Sequence, residues 1–311
     1  MKRTAIVVAV CSIAIWAAAQ SSGQAQNPPA AGQAAPAPGA AGQAAPAQGA
    51  AAPPAAKRPP QAKTQPEFDA YKVAMASTDA AALEKAADDF AVKFPDSELR
   101  VLLYKQAMRI YQNGNVADKT EAMGRKILST DGDDPEALVM VAEVIAEKTH
   151  DSDLDKDQRY DEAMKMAEKA TQTVDTDVSV PAGTPQDKLD AYKSLLRSNA
   201  YSIIGTIDFK KDDFTAAQTN LQKSIDAFPS SPDPVVVLRL ALALDKQAAA
   251  LSPDKQAAKY TEALKVANRA VELTQEGNQI GTLARRERDR LQQLTGATAA
   301  PAQPQSEPPK N

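Results

Sequence analysis

The sequence is poor in reactive side chains. Its 311 residues hold one cysteine, one tryptophan and one histidine. Cys11 and Trp16 both fall in the segment 1–19, where Lys2 and Arg3 precede an apolar run, Ala5 to Ala19, broken only by Ser12. That pattern is expected to be a secretory signal, cleaved near Ala17-Ala18-Ala19 or Gly23-Gln24-Ala25. The run is shorter than the roughly 20 residues a spanning helix needs, so no membrane span is expected after cleavage. Val10 is too bulky for the small residue that precedes a lipidated cysteine, which argues against an anchor at Cys11. Without the signal no thiol remains, which excludes a disulfide, a thiol nucleophile and a cysteine metal site. The absence suits an oxidising compartment, so the expected location is periplasmic or secreted. His150 stands alone in a polar loop beside Asp151, and there is no glycine-rich phosphate loop and no histidine pair. No catalytic activity and no cofactor are expected. The net charge moves from −4 to −6 once Lys2 and Arg3 are removed, which argues against nucleic acid as a partner.

Large apolar residues are nearly absent from 20 to 65, where Ala, Pro, Gln and Gly dominate and GQAAPA occurs twice, at 32–37 and 42–47. Such a stretch cannot bury enough apolar surface to offset the entropy of ordering it, and its prolines favour an extended spacer. The expectation is a disordered linker over 20–65 and a disordered tail over 296–311. Between them, 66–295 is expected to form one helical domain.

What is present there is helical periodicity. Asn199 to Pro229 reads as two amphipathic helices joined by the short polar turn Lys210-Lys211-Asp212-Asp213. Tyr201, Ile203, Ile204 and Ile207 are the apolar residues of the first helix. Phe214, Ala217, Leu221, Ser224 and Ile225 mark the second. Gly205 sits inside the first helix at a cost of about 1 kcal/mol relative to Ala, which calls for a close neighbour. Pro229 ends the unit. The second helix is restated at Tyr160–Ala170 (YDEAMKMAEKA) and at Tyr260–Ala270 (YTEALKVANRA), with alanines at 163, 167 and 170 and at 263, 267 and 270.

Tyr201, Ile204, Gly205, Ala217, Leu221, Ser224 and Pro229 resemble the tetratricopeptide repeat (TPR), with Asp208 departing from a large position. Against that family's period of about 34, the spacings 163 to 217 and 217 to 263 leave roughly 20 and 12 extra residues. The first excess is expected around Asp175 to Leu189, the second around Gln247 to Lys259. Thr120, Gly124 and Ile127 match the repeat poorly. A further stretch, DDFAVKFPDSELRVLLYKQAMRIYQ, looks like the helical-repeat lipoproteins of outer-membrane assembly and cell-division complexes. The resemblance implies an all-α, antiparallel helix-hairpin solenoid of roughly 11 helices, whose first helices line a concave face that binds protein or peptide. On that face Asn199, Ser202, Thr206 and Phe209 are the expected contacts, three by hydrogen bonding and one apolar. The alternative role it implies is a structural component of an outer-membrane or cell-wall assembly.

Two further patterns carry expectations. Asp151, Asp153, Asp155, Asp157 and Glu162 have the spacing of a calcium loop. Lys156 replaces the glycine that makes its turn, so the expectation is a solvated acidic turn, with Asp151, Asp153, Asp155 and Glu162 the weak metal candidates. The last helix, about 278 to 294, is expected to cap the array, with Ile280, Leu283, Leu291 and Leu294 facing inward and its arginines outward.

Overall fold

Eleven helices make up the regular structure in a computed structural model that describes residues 57–180, 183–275 and 277–296. They are α1 (Gln65–Met75), α2 (Ala80–Lys93), α3 (Leu99–Asn113), α4 (Ala117–Leu128), α5 (Pro135–Lys148), α6 (Lys156–Thr173), α7 (Gln186–Lys210), α8 (Phe214–Ala227), α9 (Pro234–Ala249), α10 (Pro253–Glu272) and α11 (Gln279–Thr295). No strand occurs among the described residues. The expected signal, residues 20–56 and residues 297–311 lie outside them.

Local chemistry sets the boundaries. Thr64 and Glu67 form a reciprocal capping box at α1. Asp79, Asp134, Asp213, Asp233 and Asn278 each accept a backbone N–H from the first turn of the helix they precede. Pro135, Pro234 and Pro253 open α5, α9 and α10, where a missing N–H leaves no bond unmade. Asn115 and Asp212 take left-handed backbone, φ 55° and 61°, in the turns of α3–α4 and α7–α8. Both residue types tolerate that region through local side-chain hydrogen bonding.

The helices form an antiparallel hairpin solenoid. Each packs on the next, and the substantial contacts between helices not adjacent in sequence all join the first helices: α1–α3, α5–α7, α7–α9 and α9–α11. Every second helix buries three residues at spacings of four and three. They are Leu83, Ala87 and Phe90; Thr120, Gly124 and Ile127; Ala163, Ala167 and Ala170; Ala217, Leu221 and Ser224; and Ala263, Ala267 and Ala270. The triplet on α4, a poor match by sequence, occupies the same place for a physical reason. A Cβ at Gly124 would lie 2.5 Å from Val141 Cγ2, so α5 fills the volume that a large residue supplies elsewhere. A Cβ at Gly205 would lie 2.9 Å from the Leu221 backbone nitrogen. Both insertions lengthen helices: α7 runs to 25 residues and α10 to 20.

Three details add to or differ from the sequence reading. Glu98, directly before α3, makes no side-chain cap, and Ser97 stands in for it. Its hydroxyl accepts from Leu99 N and donates to Glu67, tying the second hairpin to the first helix. On α11 the buried stripe is Gly281, Ala284, Glu287 and Leu291, while Leu283 and Leu294 are 40% and 48% exposed. The rotation follows from contact with small side chains. A Cβ on Gly281 would come within 2.6 Å of Thr274 Oγ1, so only its small face approaches the end of α10. Glu287 is buried because Arg290 neutralises it and also pairs with Asp245 of α9. Finally, residues 57–63, assigned with the linker, lie along the edge where hairpins join. Lys57 N donates to Thr176 O at 2.7 Å and its ammonium meets Asp131 at 2.5 Å. Arg58 grips Glu98 through two nitrogens, and Lys63 donates to Asp96 O.

No described helix is long and apolar enough to cross a membrane. The close approaches are open to test by denaturation. Ala217 is fully buried, so Ala217→Leu is expected to cost about 1–3 kcal/mol by overpacking. Gly205→Ala is expected to lower the urea midpoint by a similar energy, although Ala in an open helix interior would be favoured by about 1 kcal/mol. A raised midpoint in Gly205→Ala would show that α7 and α8 do not touch there.

Candidate binding face on the first helices

The side of the first helices turned away from the second helices carries most of the unusual polar groups. On α5, Glu136, Met140, Glu143 and Glu147 recur at spacings of four, three and four, which puts them on one face. On α7 the corresponding residues are Tyr192, Asn199, Ser202 and Thr206, and α9 adds Arg239.

At the α3 end this face is a closed network. The Lys105 ammonium lies 2.5 Å from Asp134 and 3.4 Å from Glu136. Arg109 is bidentate on Glu136 at 2.5 and 2.8 Å. Burial alone would raise the Glu136 pKa, but the Arg109 and Lys105 charges, with hydrogen bonds from Arg109 and Tyr192, hold it at about 2. Burial drives the Tyr192 phenol well above its ordinary range, and the Glu136 charge adds to this. Each charge here is matched, so this end is structural: it fixes the register of α3, α5 and α7.

Further along, the matching stops. Glu143 accepts no hydrogen bond and joins no ion pair among the described residues, and burial, then Glu147 and Asp233, push its pKa up to about 7. Arg239 donates to Thr206 Oγ1 at 2.7 Å and pairs with no carboxylate among the described residues. Burial lowers its pKa, against the pull of Asp233 and Glu147. Lys210, whose charge acts on Glu147, is engaged elsewhere. It donates to Ala146 O at 2.7 Å, capping the carbonyl end of α5. Yet Glu143 and Arg239 both keep partial contact with solvent. Glu143 is desolvated beside Glu147 and Asp233, while Arg239 is held to α7 by Thr206.

The four residues expected from sequence all lie on α7. Thr206 links α7 to α9 through Arg239 and also donates to Ser202 O at 2.7 Å. Asn199 and Ser202 are partly buried on the same face. Phe209, the expected apolar contact, is partly covered. It meets Phe214 edge-on at 5.3 Å and packs against the core of α8–α11, because the turn Lys210–Asp213 folds Phe214 back onto it. Glu143, Glu147 and Arg239 escaped the sequence reading. The available signal was two acids at i and i+4 inside the otherwise apolar VMVAEVIAEK of α5.

The acidic turn does not converge. Glu162 points to Arg125 of α4 at 2.8 Å, and the Asp153 carboxylate accepts from His150 N. Among the described residues no group of three or more acids, histidines or cysteines could hold a metal ion. His150 is an exposed side chain beside Asp153. Two shallow depressions of about 350 and 320 Å³, at Lys156–Lys210 and at Asp213–Lys246, lie by the helix turns. Neither a protein-family model nor a curated protein matches the chain.

The desolvation of Glu143 has a measurable consequence. Its pKa of about 7 lies above the ordinary 4.5, so it favours folding fully below about pH 4.5, and that contribution is lost as pH rises through 7. Glu143→Gln keeps the neutral shape at every pH. The variant is expected to be more stable than wild type by roughly 1–2 kcal/mol near pH 8, after allowance for partial solvent contact, with the gap closing below about pH 5. Equal urea midpoints near pH 8 would place Glu143 in open solvent.

Proposed function

We propose that this chain is a non-catalytic scaffold that binds a protein or peptide on the exposed face of its first helices, as tetratricopeptide-repeat proteins do. The observation that carries this reading is the presence on α5 and α9 of two charged groups, Glu143 and Arg239, that pair with no opposite charge among the described residues. An unpaired charge out of bulk water destabilises a fold by up to several kcal/mol, so its retention points to a partner that supplies the missing contacts. Hydrogen-bonding groups at Asn199, Ser202 and Thr206 lie on α7 and suit a main chain laid along it. The basic and apolar start of the sequence, and the confinement of cysteine to it, support a place in the bacterial cell envelope after export.

Site-specific photocrosslinking in the native envelope tests the face. A crosslinker at Ser202 is expected to capture a partner, while one at Val92, 84% exposed on second helix α2, is not. Equal capture at both positions, or capture at Val92 alone, would move the binding surface elsewhere.

A further inference from the structure

Residues 57–63 form no helix or strand, yet every cation they carry has an acceptor on the solenoid. The turn that follows each of the second helices α2, α4 and α6 supplies them. After α6, Thr176 O accepts from Lys57 N at 2.7 Å, and Asp177 lies 3.7 Å from the Lys57 ammonium. After α4, Asp131 takes that ammonium at 2.5 Å. After α2, Glu98 holds Arg58 through two nitrogens at 2.5 and 2.9 Å, and Asp96 O accepts from Lys63 at 2.8 Å. Pro59 and Pro60 have no N–H to satisfy and favour an extended backbone. Ala62 packs against the apolar core. The edge is therefore more than a group of acids. It combines two main-chain carbonyls with three carboxylates, and a polypeptide lies along it.

That occupant is held loosely. The Arg58 and Glu98 side chains are 64% and 41% exposed, and ion pairs so open to water add little to stability. The capping box of α1 uses the Thr64 hydroxyl, the Glu67 carboxylate and backbone N–H groups, so it does not depend on the cations at 57 and 58. The segment can leave without unmaking a helix. Its chemistry also states what could replace it. An acidic segment or a nucleic acid would be repelled by Asp131, Asp177 and Glu98. A small cation would answer one turn, whereas an extended chain answers three in register.

We infer that this edge is a docking site for an extended basic segment of a partner protein, in which adjacent Lys and Arg are followed by prolines and a further Lys, and that residues 57–63 keep the site closed until such a segment displaces them. The site uses turns rather than the first-helix face, so it stands or falls apart from the scaffold reading above. A tethered segment competes at high effective concentration, which closes the wild-type edge to a free peptide.

The test uses the full chain and a fluorescent peptide of residues 54–64 as the stand-in for the partner segment, read by anisotropy at low salt. Lys57→Glu with Arg58→Glu drives the strap off while leaving the edge intact. That variant is expected to bind the peptide about tenfold or more tightly than wild type does, with Lys57→Gln plus Arg58→Gln in between. Adding Asp131→Lys and Glu98→Lys to the opened chain should abolish the gain, and raising salt from about 50 to about 500 mM should weaken binding by a similar factor. Circular dichroism should show wild-type helix content in both opened chains, and if only the Glu pair unfolds, the Gln pair decides. Loss of helix content in both would make the strap part of the fold and overturn the proposal. So would equal peptide affinity in opened and wild-type chains, or binding that survives Asp131→Lys with Glu98→Lys. Concentration-dependent dimerisation of the wild type that Asp131→Lys removes would make the occupant a second copy's strap and overturn the choice of partner.

Discussion

Close backbone approach, allowed by small side chains, is the constraint on which this molecule is built. Side chains at spacings of four and three on each second helix are buried, and at Ala163, Ala167, Ala170, Ala217, Ala263, Ala267 and Ala270 they are little more than a methyl group. Gly124 and Gly205 remove even that where the neighbouring helix comes nearest. A core of this kind gains less from burying large apolar surface than from dense contact between helices, and dense contact is sensitive to a single methylene. Because each hairpin packs mainly on its neighbours, at least one small residue recurs in the buried triplet of every second helix.

The second helices spend their small residues on packing, and the first helices gain a different freedom. Their inner side faces other first helices at one edge only, and polar groups survive there. At the α3–α5 end those groups are matched in full. At the α5–α7–α9 end they are not. The contrast is useful because burial raises the pKa of both carboxylates, Glu136 and Glu143. Burial alone does not explain why one carboxylate is held near 2 and another is pushed to about 7. The difference is whether a guanidinium stands within reach.

Much of this was legible in the sequence, and the limits were physical. Helix ends were readable because Asp134-Pro135, Asp233-Pro234 and the turn at Lys210–Asp213 act locally, through caps and proline. The repeat was readable because Ala163, Ala217 and Ala263 share a pattern. The buried side of α11 was misread because two stripes compete there. Leu283 and Leu294 carry more apolar surface, but contact with α10 admits only Gly281 and Ala284. The candidate face was half visible. Thr206 and Ser202 followed from the family resemblance on one helix, whereas Arg239 reaches Thr206 only when α7 and α9 are stacked. No local pattern encodes that meeting.

The basic segment from Lys57 to Lys63 has a mechanical meaning. It crosses the α6–α7, α4–α5 and α2–α3 junctions in turn before the chain enters α1. A pull transmitted along the preceding residues would therefore not peel the first hairpin from the end of the stack. It would load the third hairpin's exit first, through Lys57, and be shared sideways over three repeats. Detachment would begin with ion pairs that reform, rather than with helices that must refold.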